Sequence, residues 1–314
     1  MAHNNPIFCA RVANLIGYGD HLSESDNGRR VLNEFKLSLG GHVVTIKQQP
    51  VALLTLSGLW GKPADTSVIE VEGIRSLAEG KILVEDLCWL LSFATHSQVV
   101  PYYFCFLDVA NRIPVPVGPN NWRPPFLSNG DGEIVNFISQ VWARYRDLKE
   151  ARGLNALFHM VVSSDLPGTI LEAQITTCIQ CIESVKSYFA LVEGARFGIT
   201  ERPSGQFVDC NGRNLTFRTL LELTLNDVGM AMPGALPAII RLRNALIHRG
   251  FIREYDNVTK HIFGSLQANS MHDAMFALME HMQDLIREYV LRLLGYSGIY
   301  WLYSQASRRP ASIS

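Results

Sequence analysis

Apolar and polar residues keep two different periods along the chain. From Gly41 to about residue 117 the pattern is strand-like. His42–Lys47, Val51–Leu56 and Ser67–Val71 are rich in β-branched residues and are separated by Pro50, Gly58, Gly61 and Pro63, which predicts an antiparallel sheet with short connections. Strands resume at Val99–Leu107 and Ile113–Val117. Between them, Glu85–Ala94 reads as a buried helix opened by acidic residues. Residues 1–40 carry turn chemistry at Gly17–Asp20 and Ser25–Gly28 but no pattern that places an element.

The stretch Pro114–Gly132 is dense in turn formers and reads as a boundary between regions. Trp122 and Phe126 inside it predict an ordered loop packed on something. From Glu133 helical periodicity takes over, with helices expected over Ile134–Ala151, Asn155–Val162, Thr169–Glu193, Thr216–Val228, Pro237–Gly250 and Met271–Leu294. Arg196–Arg213 reads as a loop and the tail after Gln305 as frayed. The expected fold class is α+β: a β-rich N-terminal region (residues 1–130) followed by an all-α helical bundle (residues 131–314).

At 314 residues with 47% hydrophobic content, the chain can bury a substantial core. Lys and Arg balance Asp and Glu in both regions, 10 against 11 for residues 1–130 and 18 against 18 for 131–314. Any polyanion must therefore be held by a local patch. One such patch exists: from Val228 to Arg253 there is no acidic residue, while Arg241, Arg243, Arg249 and Arg253 fall inside it. The six cysteines follow no spaced framework and the N-terminus has no basic run leading into an apolar one, which reads as a reduced cytoplasmic protein. Glu85 and Asp86 interrupt the most apolar stretch, so no membrane segment is expected.

The acid-free patch coincides with the helix that gathers most of the chemistry-capable side chains. Pro237 suits its first turn and Gly250 its end. At ~100° per residue, Ile239, Ile240, Leu242, Leu246 and Ile247 form an apolar stripe, and Arg241, Asn244 and His248 gather opposite. Arg243 projects toward the stripe, where an unpaired guanidinium would cost several kcal/mol, roughly, so it needs an acidic or phosphate partner. Glu183, beside the apolar stripe of the Thr169–Glu193 helix, is the candidate; otherwise it is an ordinary flanking carboxylate. Carbonyls left unpaired in the last turn favour the imidazolium form of His248.

The spacing Arg243-Asn244-x-x-x-His248 resembles the Arg-x4–6-His signature of the HEPN superfamily. Its surroundings, Arg-Leu-Arg-Asn-x-Leu-Ile-His-Arg-Gly, resemble the two-part ApeA family of bacterial defence proteins, in which a β-rich region precedes the HEPN helices. The resemblance implies a metal-independent endoribonuclease without a cofactor. In it His248 takes the ribose 2′-OH proton, Arg243 stabilises the phosphate, and Asn244 assists. It also implies a homodimer with the site at its two-fold interface, and a role in anti-phage defence through cleavage of host RNA after a phage-derived trigger. Arg241, Arg249 and Arg253 would contact the RNA backbone.

Another reading stands beside this one. Arg243 can make a structural ion pair while His248 caps a helix end, which would leave a non-catalytic module that binds a nucleotide or a partner chain. Geometry also demands something further of the nuclease. Five positions apart, Arg243 and His248 point ~140° away from each other on an ideal helix. Either a second copy supplies the missing partner or the last turn loosens. Elsewhere, Cys178 and Cys181 sit mid-helix without a second pair and read as core. His272 and His281 are ~180° opposed and make poor joint ligands. Gly17-x-Gly19 lacks the following helix and lysine of a phosphate loop.

Overall fold

The computed structural model describes residues 7–16, 22–24, 30–32, 34–53, 59, 61–107, 109–114, 117–118, 126–127, 132–166, 169–249, 260–261, 270–304 and 309–313. The fold is α+β. Six antiparallel strands run in the order β4 (Glu34–Leu39), β5 (His42–Gln48), β6 (Asp65–Glu72), β1 (Ile7–Ala13), β7 (Val100–Phe106) and β8 (Val109–Arg112), while β2 (Leu22–Glu24) and β3 (Arg30–Leu32) pair with each other outside this sheet. Alternation sorts the two faces of this sheet. Phe8, Ala10 and Val12 of β1, Phe35, Leu37 and Leu39 of β4, Ile69 and Val71 of β6, and Phe104 and Phe106 of β7 are buried on one. The other face carries ion pairs such as Lys47–Glu70 at 2.6 Å.

The apolar face is covered by α1 (Leu77–Thr95), whose buried positions run almost all round its surface. Sheet and helix meet closely at Gly80, where a Cβ would collide with the Phe8 ring. The helix begins eight residues earlier than expected because Ser76 caps it. Its Oγ accepts from the Glu79 N–H at 3.2 Å, and the Glu79 carboxylate accepts from the Arg75 N–H at 2.8 Å. Asp86 is therefore a mid-helix residue. It is buried and paired at 2.6 Å with Lys149, the residue that caps the C-terminal end of α2 (Glu133–Leu148).

The far side of α1 packs against α2 and α3 (Leu154–Ser163). Phe93 lies 4.7 Å from Phe158 and 5.0 Å from Phe126, ring centre to centre. Behind them come α4 (Leu171–Glu193), α5 (Phe217–Asp227), α6 (Leu236–Arg249) and α7 (Met271–Leu293). One hydrophobic cluster runs from the sheet through α1 into these helices, crossing residue 130 without a break.

A buried polar knot closes the C-terminal end of α1. His96, its left-handed cap, places Nε2 3.0 Å from Asp165. Arg287 of α7 has no exposed surface, and its Nη2 lies 3.4 Å from the His96 ring nitrogens. Its Nη1 lies 3.3 Å from Asp284 and its Nη2 3.3 Å from Gln283. The guanidinium carbon sits 4.4 Å from the Tyr303 ring centre and 5.5 Å from that of Phe126. Asp284 in turn accepts the backbone N–H groups of Tyr303 and Ser304.

Several sequence expectations are corrected. Val51–Leu56 was read as a strand, but Pro50–Leu53 is a 3-10 turn, since Pro50 removes a ladder donor; residues 54–56 lie outside the description. The strand expected at Ile113–Val117 lies at Val109–Arg112, paired with Tyr103–Phe106. In the Arg196–Arg213 loop, β9 (Thr200–Glu201) and β10 (Phe207–Val208) pair as a small hairpin. The tail is not frayed over Arg309–Ile313: this strand, β12, pairs with β11 (Gly298–Leu302), and Ile313 is buried. Strands β1 and β4 were not anticipated. Phe126 is fully buried, and Trp122 lies outside the described residues.

Two substitutions test this packing by urea denaturation. Gly80→Ala, which at an open helical site would add stability of about 1 kcal/mol, is expected instead to lose about 1–3 kcal/mol against the Phe8 ring. Arg287→Met keeps most of the volume but leaves Asp284 buried without its cation, with an expected loss of about 3–5 kcal/mol.

Candidate functional site

Helix α6 is held by small and branched residues. Ala238, Ile239, Leu242 and Ala245 are buried, against α4 and α7, while Ile240 and Leu246 are partly covered. Ile247 departs from the expected stripe, with 52% of its surface exposed. The small residues Ala238 and Ala245 centre the contact on the 238–242–245 line, and Ile247 points away from it. The same shift moves Arg243 to the flank of the buried face, where its side chain is 22% exposed.

Arg243 is fixed there from three sides. Its Nε and Nη2 donate to Glu183 Oε1 of α4 at 2.9 and 2.7 Å. Its Nη1 donates to Asn244 Oδ1 at 3.0 Å. The guanidinium carbon lies 5.1 Å from the ring centre of Phe217, the first residue of α5. These contacts engage three of the five N–H donors a guanidinium carries, and two have no partner among the described residues. The second Glu183 oxygen is 2.5 Å from Lys186 Nζ, and this ammonium also lies over Phe217, at 5.6 Å. Two cations share one carboxylate, which leaves the cluster with a formal charge of +1.

Arg241 and Asn244 are exposed on the outer side of α6, and Arg249 is exposed in its last turn. The backbone of His248 belongs to that turn; its side chain and Arg253 lie outside the described residues. Sequence reasoning therefore named Arg243, Glu183 and Asn244, which the structure brings into direct contact, and missed Lys186 and Phe217. Lys186 was legible as an i,i+3 neighbour of Glu183. Phe217 carried no local signal, since only tertiary packing brings α5 beneath the cluster.

A second concavity lies apart from α6. A cleft of about 480 Å³ opens between α1, the start of β7 and α3, lined by Trp89, Cys88, Ser92, Gln98, Val100 and His159 among others. It pairs a thiol with an imidazole, but Cys88 is almost fully buried and desolvation pushes its thiol far up, so it holds no thiolate nucleophile. Cys178 and Cys181 are buried in α4. Burial also pushes the His281 imidazole down, against the pull of Asp284. Among the described residues, no three His, Cys, Asp or Glu side chains gather as metal ligands, and no helix is long and apolar enough to cross a membrane.

No protein-family model, curated protein or solved structure matches the chain.

The partial exposure of Arg243 and Glu183 limits what their pairing adds to stability. A double-mutant cycle with Arg243→Met and Glu183→Gln, followed by urea denaturation, is expected to give a coupling of about 1 kcal/mol. A coupling several-fold larger would mark the pair as a structural keystone.

Proposed function

We propose that the chain is a metal-independent endoribonuclease of HEPN type that works as a homodimer. The observation that carries this reading is the state of Arg243. Its guanidinium is anchored by Glu183, Asn244 and Phe217, yet it stays part-exposed, with donors to spare, in an acid-free stretch of the sequence that carries four arginines. An arginine held this way is set for a phosphate, because its orientation is fixed before the ligand arrives.

In the proposed reaction His248 removes the proton of a ribose 2′-OH, and that oxygen attacks the adjacent phosphorus. Arg243 stabilises the charge that builds on the non-bridging oxygens. The bond to the 5′-oxygen breaks, this oxygen takes up a proton, and the products are a 2′,3′-cyclic phosphate and a 5′-OH. Asn244 assists Arg243, and Arg241, Arg249 and Arg253 contact the RNA backbone. A two-fold axis beside α6 would bring His248 of one copy toward Arg243 of the other and double the arginine density of the cleft. The ApeA-like surroundings of the motif extend the proposal to anti-phage defence, with host RNA, including tRNA, as substrate and the β-rich region as the receiver of a phage-derived trigger.

One observation favours a second reading. Glu183 already satisfies Arg243 without any phosphate, as expected of a non-catalytic module that holds a nucleotide or a partner chain. Incubation of the purified protein with total RNA in EDTA separates the two. The nuclease is expected to release fragments that polynucleotide kinase labels directly at their 5′-OH ends. His248→Ala is expected to lower the rate by about 10²–10⁴-fold, and Arg243→Ala to lower it as well, with both variants still folded at the assay temperature. Absence of cleavage by the wild type, also in the presence of lysate from phage-infected cells, would leave the binding module as the reading to pursue.

A further inference from the structure

The half-exposed face of the sheet carries a feature that neither the motif helix nor its chemistry uses. Cys9 of β1 and Cys105 of β7 are register partners, directly opposite each other on adjacent antiparallel strands. They lie in one row across the sheet, Thr45–Glu70–Cys9–Cys105–Ala110. Both are free thiols of intermediate exposure, unlike the buried Cys88, Cys178 and Cys181. Directly opposed residues of an antiparallel pair have Cα atoms about 4.5 or 5.5 Å apart, depending on the site type. Both values fall within the roughly 4.4–6.8 Å that a disulfide spans. Side chains of such pairs also point to the same face, so no strand has to turn for the sulfurs to meet.

We propose that Cys9 and Cys105 are a thiol pair that closes into a cross-strand disulfide with a low-molecular-weight disulfide, such as oxidised glutathione, as oxidant. One protein thiolate attacks the glutathione disulfide, forms a mixed disulfide and releases one glutathione thiolate. The second protein thiolate attacks the protein sulfur of that mixed disulfide and releases the other. Two protein thiols lose two protons and two electrons, and one glutathione disulfide becomes two molecules of reduced glutathione. At rest Cys9 gives up its proton less readily than a free thiol. Burial, then the Glu70 carboxylate and the Cys105 thiol, push the Cys9 thiol up, while Lys47 opposes them. The bridge would tie β1 to β7, the strands on which the N-terminal half of α1 rests, and so stiffen the sheet.

The test uses the full chain carrying Cys210→Ser, which removes the exposed thiol that could join two molecules. After incubation with excess oxidised glutathione at pH 8, free thiols are alkylated and tryptic peptides are analysed by mass spectrometry. The expected product is a peptide of residues 1–11 joined to residues 82–112, 2 Da lighter than the sum of its parts and cleaved by dithiothreitol. Because the second peptide also contains Cys88, the joined species must vanish in Cys105→Ser as well as in Cys9→Ser. The bridged protein is expected to melt several degrees higher than the reduced one. Glutathione adducts on Cys9 and Cys105 without the joined peptide would overturn the proposal, as would unmodified thiols or a joined peptide that persists in Cys105→Ser. These readouts need no RNA, so they stand or fall apart from the nuclease reading.

Discussion

A helix with almost no polar face has to be covered on every side, and α1 imposes that demand on the whole chain. Its apolar residues cannot be buried by the sheet alone, because a sheet offers one flat surface and α1 has at least two apolar ones. The helices that begin at Glu133 supply the other cover through Phe137, Phe158 and Val161. Hence the hydrophobic cluster is continuous across the region where the composition turns rich in proline and glycine. The Pro114–Gly132 stretch marks a change of pattern, and it also contributes Phe126 and Leu127 to the cluster that joins the two sides.

Where α1 ends, apolar cover gives way to charge. An arginine without exposed surface is tolerated because anionic and aromatic contacts surround it: Asp284 beside it, Asp165 one histidine away, and two aromatic faces. This arrangement binds four separated stretches of chain, around His96, Asp165, Arg287 and Tyr303. Apolar packing could hold them together equally well. Directional hydrogen bonds add a definite rotation and depth of α7 relative to α1. Helix α6 packs against that same α7, so the orientation of the Arg243 cluster depends on a contact network on the far side of the helical layer.

Much of the fold was readable where one physical signal dominated. The helices after Glu133 followed the apolar period closely, and β5, β6 and β7 followed β-branched composition. Reading failed where local signals were weak or competing. Strand β4 has a strict alternation, Glu34 to Leu39, but it is short and follows a turn-rich stretch; β1 contains Cys9, Ala10 and Ala13, which are poor strand markers. Helix α1 was cut short because Glu85 and Asp86 looked like a start, whereas Ser76 with Glu79 was the real one. At the site, helical geometry sufficed to see that Arg243 needed an acidic or phosphate partner and to offer Glu183 as a candidate. It could not supply Phe217, because that position follows from how α5 packs against α4.

The His96–Arg287 contact spans 191 positions of sequence. A ribosome adding roughly 5–20 residues per second needs on the order of 10–40 s to travel that distance. During that interval His96 and Asp165 emerge while the helix that carries Arg287 does not yet exist, and at its start the outer face of α1 also stands without α2 and α3. Water can solvate the histidine and the carboxylate, but it cannot do the same for Leu90, Phe93 and Ala94. The nascent chain therefore carries an uncovered apolar ridge until α2 and α3 have emerged, and its chance of folding rests on how well that ridge is kept from other chains until then.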